Sequence, residues 1–441
     1  MNNGYLNGNG NNASRWSSIR RLLRWGVGVK RWLVLGSLGV GILALGFAYL
    51  LVKVFSVRPS SGFPASIEAI AGMAVGFGLI GISLYGLYRS LGPVLFANTS
   101  LEKFSRTLST RRSRVRGPKV VAIGGGTGLS VLLRGLKVHT DNLSAIVTVA
   151  DDGGSSGRLR KELGLLPPGD FRNCIVAMSD TEDLMTNLFQ YRFKQGDLEG
   201  HSFGNLFIAA MTDVTGSFVD ALHESSQVLA VKGQILPSTL TDMHLAARMK
   251  DGTVIRGESS ITKAGGEIDT LFTEPAEPVA YPYAVEAIRE ADIIVIGPGS
   301  LYTSIMPNLL VPGIQEAIKS ANATKMYVCN VATQVGETDG FTVFEHVEAL
   351  QRNTFAEIVD VVVANGTPPA DLGPQFFGKP VFHDGRQIPK THLVLADVTN
   401  PEHLVRHDST KLANAILDVY HGKRKVKNLP AGLATVTRLV S

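Results

Sequence analysis

Lys119-Val-Val-Ala-Ile-Gly-Gly-Gly-Thr-Gly-Leu-Ser130 is the stretch that decides the fold of this 441-residue chain. A short apolar run breaks into glycines and then resumes, which is typical of a buried parallel strand that turns tightly into a helix. Glycines let the backbone approach a phosphate closely, and free N–H groups at the following helix start bind anions. We therefore expect ligand contacts at Gly124, Gly125, Gly126, Thr127 and Gly128.

A second motif, Ala150-Asp-Asp-Gly-Gly-Ser-Ser-Gly-Arg158, follows the apolar run Leu143–Val149. It places two carboxylates at the carboxyl end of the next strand, where open α/β sheets bind ligands. Asp151 is suited to hold a ribose diol, Asp152 to hold a magnesium ion that shares phosphate oxygens, and Arg158 to pair with a phosphate. The other candidate contacts of this motif are Gly153, Gly154, Ser155 and Ser156.

Two later polar segments supply further candidates. Pro168–Asn173 opens a helix, with Asp170 as the expected N-cap and with Arg172 and Asn173 directed toward the same sheet edge. A segment after the run Asp292–Ile296 repeats the strand, glycine and helix pattern, which predicts a second anion-binding turn. Its candidate contacts are Gly297, Gly299, Ser300, Thr303 and Ser304.

These motifs, together with the segments 166–174, 200–206 and 405–412, resemble the gluconeogenesis-factor (YvcK-like) branch of the CofD-like family, which is related to 2-phospho-L-lactate transferase. The resemblance runs from about Lys119 to the C-terminus. It implies an α/β fold with a Rossmann-like, mostly parallel sheet, and it makes Asn205 a candidate ligand contact. It also implies a regulatory protein that binds a nucleotide sugar such as UDP-N-acetylglucosamine and is needed for cell shape and wall synthesis during gluconeogenic growth.

The charge of the chain is unevenly distributed. Residues 1–119 carry 16 Lys/Arg and two acids, a net charge of +14, whereas residues 120–441 carry 27 bases and 36 acids, a net charge of −9. An acidic globular part argues against nucleic-acid binding, since the bases flank apolar segments instead of lining a folded face. The two cysteines, Cys174 and Cys329, are too few for a disulfide framework or a zinc site.

The N-terminal region predicts a membrane anchor. Residues 1–31 form a disordered and then basic segment, and two uncharged runs, Trp32–Val52 and Ala69–Tyr88, are each long enough to cross a bilayer as a helix. Six bases precede the first run and a basic linker, residues 89–118, follows the second, so both termini are expected in the cytoplasm. The predicted localisation is a two-helix membrane hairpin with a cytoplasmic main domain.

Residues 119–441 are expected to form that α/β domain. Buried strands are predicted at Val120–Ile123, Leu143–Val149, Asp292–Ile296, Met326–Val331, Ile358–Val363 and His392–Ala396. A small β-hairpin insertion is predicted where Ala246–Lys250 and Thr253–Gly257 flank the two-residue turn Asp251-Gly252.

Three functions stay open at this stage. The resemblance favours a nucleotide-sugar-binding regulator without a catalytic residue. No cofactor is expected to be required, magnesium is a candidate ion, and homo-oligomerisation is left open. Its transferase branch implies the alternative of a magnesium-dependent phospholactyl transferase. Without the resemblance, the glycine turn and Asp151 suggest an NAD-dependent oxidoreductase, but Leu129 stands where the dinucleotide fingerprint has its third glycine.

Overall fold

A computed structural model describes residues 29–55, 64–95, 114, 117–180, 183–370, 372–373, 376–426 and 437–438. The chain divides into two compact units, residues 1–113 and 114–441. Residues 1–28 of the predicted N-terminal segment and most of the predicted basic linker, residues 96–113 and 115–116, lie outside the described residues.

The N-terminal unit contains helices α1 (Val29–Phe55) and α2 (Pro64–Leu95), which cover both predicted spans. Small residues bring the two helices together: a Cβ atom added to Gly39 would lie 2.9 Å from the carbonyl oxygen of Gly76. Within the described residues, Trp32–Tyr49 is long and apolar enough to cross a membrane, whereas Ile70–Gly86 is a shorter apolar stretch. An apolar N-terminal helix is therefore established, and the two-span hairpin is not.

The second unit alternates strands and helices. Its strands are β1 Val120–Gly124, β2 Leu143–Val147, β3 Gln234–Pro237, β4 His244–Met249, β5 Val254–Arg256, β6 Ile268–Glu274, β7 Ile293–Ile296, β8 Thr324–Val328, β9 Val361–Asn365, β10 His392–Ala396 and β11 Thr437–Arg438. Its helices are α3 Gly126–Leu136, α4 Gly154–Leu163, α5 Gly169–Met178, α6 Asp183–Gln190, α7 Phe203–Thr215, α8 Phe218–Val228, α9 Glu258–Ala264, α10 Pro282–Glu290, α11 Met306–Leu309, α12 Pro312–Ser320, α13 Val343–Asn353 and α14 Ser409–Val426, with a π-helical turn at Leu301–Ile305.

Eight parallel strands form the main sheet in the order β11-β10-β9-β8-β7-β1-β2-β3. The chain adds β2 and β3 on one side of β1, then crosses back and adds β7 to β11 on the other side. Strands β1, β7 and β9 are buried along their whole length, as expected when helices cover both faces of a parallel sheet. The order reverses between β1 and β7, and open α/β sheets bind ligands at the carboxyl ends of strands beside such a reversal.

The predicted α/β class and all six predicted strands are confirmed, with end shifts of a few residues. The prediction missed β3 and β11, because β3 spans only four residues and ends in proline. The predicted hairpin exists, but β6 extends it into a three-stranded antiparallel sheet. Its turn is also longer than predicted: Met249 N–H donates to Thr253, and Gly252 adopts a φ of +88°, which suits a longer loop with a glycine bulge.

Candidate functional site

A cavity of 690 Å³ opens at the carboxyl ends of β1, β7 and β8, where the strand order reverses. Its walls come from the turn after β1, the turn after β7, the loop after β8 and two segments nearer the C-terminus. The residues that line it include Thr127, Gly128, Ser300, Asn330, Gln334, Phe377 and Arg406. The topology of the sheet therefore brings both glycine-rich turns predicted from the sequence to one cavity.

The first glycine-rich turn starts α3 without a side-chain N-cap. Gly125 is fully extended and Gly126 has a φ of +64°, a conformation that favours glycine. Thr127 and Gly128, in the first helical turn, line the cavity. N–H groups in a first turn have no partner within the helix, so these two residues face the cavity at the positive end of the α3 dipole.

Close packing explains two of the glycines. A Cβ atom at position 125 would lie 2.4 Å from Oδ2 of Asp170, and one at position 128 would lie 2.5 Å from the carbonyl oxygen of Pro298. Asn308 also joins the two turns, because its side-chain amide donates to the carbonyl oxygens of Gly124 at 3.0 Å and Ser304 at 2.9 Å. The two glycine-rich turns therefore form one packed assembly.

Asp170 does not cap its own helix. Pro168 is the N-cap of α5, and no side-chain capping bond is present, so the predicted cap is wrong. The Asp170 carboxyl instead lies against the first glycine-rich turn and accepts the N–H of Gly126. Enclosure in the protein and the nearby charge of Asp151 raise the pKa of Asp170 to about 7.

Asp170 belongs to an acidic cluster with Asp151, Asp152 and Glu258. Burial and the three neighbouring acids raise the pKa of Glu258. Asp151 accepts the Gly153 N–H at 2.8 Å, and Asp152 accepts the Ser259 N–H at 2.9 Å. Across the described ranges no three His, Cys, Asp or Glu side chains converge as metal ligands, so a magnesium ion at Asp152 stays a prediction.

The serines of the second motif hold helices together. Ser155 Oγ lies 3.0 Å from Nδ1 of His201 and accepts the side-chain N–H of Asn205 at 3.1 Å, and all three residues are buried. Ser156 accepts the N–H of Gly169 at 3.1 Å. These contacts connect α4 to α5 and to the start of α7, behind the glycine-rich turns.

The two predicted arginines lie in different surroundings. Arg158 is exposed and donates to the carbonyl oxygen of Glu199 at 2.8 Å. Arg172 is buried and donates to Oδ1 of Asn173 at 2.8 Å, and burial lowers its pKa to about 10. Asn173 lines the cavity, whereas Arg172 does not and contacts the cavity lining only through Asn173.

Several hydrogen-bond donors of the second glycine-rich turn are paired with acceptors within the protein. Gly299 and Asn330 exchange two hydrogen bonds, of 3.2 and 2.8 Å. The hydroxyl of Ser300 donates to Gln334 at 2.6 Å, and that of Thr303 donates to Glu337 at 3.0 Å. Of the candidate residues in this turn, only Gly299 and Ser300 line the cavity.

The cavity thus collects five of the predicted ligand contacts: Thr127, Gly128, Asn173, Gly299 and Ser300. The remaining candidates are not among its lining residues: Gly124, Gly125, Gly126, Asp151, Asp152, Gly153, Gly154, Ser155, Ser156, Arg158, Arg172, Asn205, Gly297, Thr303 and Ser304. Most of them belong to the two turns, stabilise them on the side away from the cavity, or form the acidic cluster.

Sequence reasoning missed several cavity residues. Arg406 and His407 line the cavity just before α14, although neither was among the predicted ligand contacts. His407 donates from Nε2 to the carbonyl oxygen of Cys329 at 3.2 Å, and burial lowers its pKa to about 4, so the ring is neutral. Phe377 is 90% exposed at the cavity, and Asn330 lies near the carboxyl end of the predicted strand Met326–Val331, just after the observed β8. That position was the one available signal for Asn330.

Known proteins resemble this chain over long stretches. The model of the CofD family, described as 2-phospho-L-lactate transferase CofD, matches residues 120–398. The gluconeogenesis factor of Bacillus subtilis is 48% identical over 310 residues, which cover 68% of this chain and 98% of that protein. A relative from Nostoc sp. in the same group is 46% identical over 438 residues, which cover 93% of this chain and 95% of its own length.

A solved structure agrees with the fold. The crystal structure of a member of the UPF0052 family from Bacillus halodurans has 48% sequence identity and a TM-score of 0.66, and covers 68% of this chain and 99% of its own. The Nostoc alignment necessarily reaches into residues 1–113, because it covers 93% of this chain. The N-terminal unit is thus shared, at least in part, with that relative.

Proposed function

The chain belongs to the gluconeogenesis-factor branch of the CofD family, and from this premise we propose that its cavity binds a nucleotide sugar of the UDP-N-acetylglucosamine type. The ligand is sensed and not consumed, and binding regulates cell shape and wall synthesis during growth on gluconeogenic carbon. The observation that carries the proposal is the cavity itself, which joins the first turn of α3 to the turn after β7.

The phosphate groups are assigned to the start of α3. The first-turn positions Thr127 and Gly128 face the cavity, and the α3 dipole is positive at this end. Two cationic side chains, Arg134 and Arg406, line the same cavity. A diphosphate placed here would lie among backbone donors and positive charge, which is the environment that such a group requires.

The base is assigned to the apolar side of the cavity. Phe377 is 90% exposed and Val335 is 49% exposed, and both line the cavity. Gly378 packs closely on the backbone of Thr333, so the two exposed side chains belong to neighbouring segments. A flat aromatic base stacked on Phe377 would cover apolar surface that otherwise faces water.

The chemistry of the cavity lining supports the proposed sensing role. His407 is neutral, and one of its nitrogens is engaged by Cys329, so it is poorly suited to act as a general base near neutral pH. The buried Ser155 and His201 pair does not line the cavity, and neither does the acidic cluster. The described lining residues therefore place no activated nucleophile beside the proposed phosphates.

The acidic cluster supports one alternative, a magnesium-dependent transferase of the phospholactyl type. Asp170 touches the first glycine-rich turn, and its raised pKa resembles that of a general acid or base. In that case the cluster would bind the acceptor or a metal ion next to the nucleotide. Multiple turnovers that release UDP or UMP from UDP-N-acetylglucosamine, measured with candidate acceptors and magnesium, would establish the alternative.

For the N-terminal unit we propose a membrane hairpin formed by α1 and α2, with the C-terminal unit in the cytoplasm. The proposal is supported by the apolar stretch Trp32–Tyr49, by the small-residue contact between Gly39 and Gly76, and by the excess of bases outside the two helices. Homo-oligomerisation in the membrane is compatible with this arrangement.

Native mass spectrometry of the full chain, purified in detergent, tests the proposed ligand directly. We expect a co-purified molecule with the mass of a UDP-sugar, or its appearance after incubation with UDP-N-acetylglucosamine. A guanosine-containing species would favour the transferase alternative, and bound NAD would favour a dehydrogenase. Failure of UDP-N-acetylglucosamine to bind at millimolar concentration would refute the proposal.

A further inference from the structure

A buried carboxyl group stands behind the second glycine-rich turn. Glu337 is 4% exposed, and its Oε1 accepts hydrogen bonds from Thr303 at 3.0 Å, Thr262 at 3.2 Å and Gln334 at 2.8 Å. Thr303 belongs to the π-helical turn after β7, and Thr262 belongs to α9. Burial raises the pKa of this carboxyl, whereas hydrogen bonds from Thr303, Thr262 and the backbone N–H groups of Tyr302 and Thr303 oppose the rise. Glu337 thus lies where an anion bound to this turn would lie.

These contacts fix the orientation of the Gln334 side-chain amide. Oε1 of Glu337 accepts the hydroxyl hydrogens of Thr303 and Thr262, so it has no hydrogen of its own to donate. The NH₂ group of Gln334 must therefore point toward it. The Oε1 atom of Gln334 then faces Ser300, and the Ser300 hydroxyl donates to it at 2.6 Å. Reversing the amide would place two oxygens against each other at 2.8 Å, so the network has one consistent arrangement.

The consequence for the cavity concerns the Ser300 hydroxyl. A serine hydroxyl has one hydrogen and two acceptor lone pairs, and Ser300 donates its hydrogen to Oε1 of Gln334. The neighbouring N–H of Gly299 donates to Oδ1 of Asn330. Ser300 is partly exposed and lines the cavity, so it offers a hydrogen-bond acceptor to any ligand.

We infer that the turn after β7 binds an uncharged hydrogen-bond donor of the ligand, such as a sugar hydroxyl or amide N–H, through Ser300, with Glu337 as the residue that positions it through Gln334. The turn after β1, which packs directly against it, takes the phosphates. The inference rests on the proposed function and sharpens it, because it selects a nucleotide that carries a glycosyl group over a ligand with a second phosphorylated end.

The test separates the sugar from the nucleotide. Dissociation constants for UDP and for UDP-N-acetylglucosamine are measured by calorimetry with the full chain in detergent, and the ratio Kd(UDP)/Kd(UDP-N-acetylglucosamine) reports the contribution of the sugar. Ser300→Ala should lower this ratio about three- to tenfold, the usual effect of one lost hydrogen bond. Ser320→Ala is the matched control, because Ser320 is exposed on α12 and bonds only within its helix.

Two variants of Glu337 test the positioning role. Glu337→Leu removes the acceptor that orients Gln334, so the ratio should fall as in Ser300→Ala. Glu337→Gln keeps an oxygen for the same three donors and should retain the ratio within about twofold. Thermal unfolding of each variant shows whether it is folded, and Ser300→Ala alone decides the matter if Glu337→Leu does not fold.

The outcomes are distinct. The inference is supported if Ser300→Ala and Glu337→Leu lower the ratio Kd(UDP)/Kd(UDP-N-acetylglucosamine) while Glu337→Gln keeps the wild-type ratio. Equal weakening of UDP and UDP-N-acetylglucosamine, or a wild-type ratio near one, overturns it and leaves nucleotide binding intact. If the wild-type chain binds neither compound, the proposed function and the inference fall together.

Discussion

Asp170 closes the first glycine-rich turn from behind, since its Oδ2 atom lies 2.4 Å from where a Cβ atom of residue 125 would be. The contact explains why Gly125 has no side chain, and it places a carboxyl group with a pKa of about 7 next to the proposed phosphate site. It also couples the acidic cluster to the cavity through the backbone of Gly126. Protonation of this cluster should therefore affect both stability and ligand binding.

The first prediction concerns pH and stability. The pKa of Asp170 in the folded protein, about 7, exceeds its ordinary value of 3.8, so its contribution to stability is present below pH 3.8 and is lost as the pH rises through 7. Asp170→Asn should therefore unfold about 2–4 °C higher than the wild type at pH 8, with little difference near pH 4.

Asp180 provides a control of opposite sign. Its pKa is lowered, chiefly by its ion pair with Lys232 against a burial cost, so its stability contribution is lost as the pH falls. Asp180→Asn should thus lower the melting temperature of the protein at pH 8 and not at pH 3. Melting curves of both variants across this range, recorded by circular dichroism, check the prediction. Identical pH profiles for Asp170→Asn and the wild type would contradict it.

The fold was largely predictable because its signals are local. The runs that became β1, β2 and β7 to β10 are continuous and apolar, as parallel strands buried on both faces must be. The turn after β1 was predictable for the same reason, since Gly126 must adopt a positive φ. Strand β3 was missed because four residues that end in proline carry almost no periodic signal.

The site was predictable only in part, because its walls come from distant segments. Asp170 has the residue type of an N-cap, but its partner is Gly126, which belongs to another helix. Arg406 and Phe377 reach the cavity through the packing of the C-terminal segments, which no local pattern encodes. The chemical roles of Ser300 and Gln334 depend on Glu337, and side-chain orientation cannot be deduced from sequence spacing.

The second prediction concerns Phe377. If its exposed ring stacks on the base, Phe377→Ala should weaken binding of UDP about fivefold or more, since stacking of a base on an aromatic side chain contributes roughly 1–3 kcal/mol. Phe382→Ala is the control, because Phe382 is also exposed but does not line the cavity. Fluorescence competition with a labelled nucleotide measures both. Equal affinities for the two variants would place the base elsewhere.

The third prediction concerns topology. If α1 and α2 both span the membrane, a cysteine introduced at Ser60 should be labelled by an impermeant reagent in intact cells, and a reporter fused after Ser441 should be active only as a cytoplasmic reporter. Cysteine at Ser320, in the C-terminal unit, is the control and should be labelled only after lysis. Labelling of position 320 in intact cells would disprove the orientation, and protection of position 60 would reduce the anchor to one span.

The central claim is that a nucleotide sugar places its phosphates at the start of α3. Thr127→Glu tests it, because Thr127 is exposed in the first turn and lines the cavity. A carboxylate there interacts favourably with the α3 dipole, so folding should not suffer, yet it should repel a bound diphosphate. Thr127→Gln has the same size without the charge and serves as the control.

The decisive measurement is the affinity of both variants for UDP-N-acetylglucosamine, determined by calorimetry with the full chain in detergent. Thr127→Glu should bind at least about tenfold more weakly than Thr127→Gln, while its melting temperature is equal or higher. A folded Thr127→Glu variant with the affinity of Thr127→Gln would contradict the assignment of the phosphates to this turn.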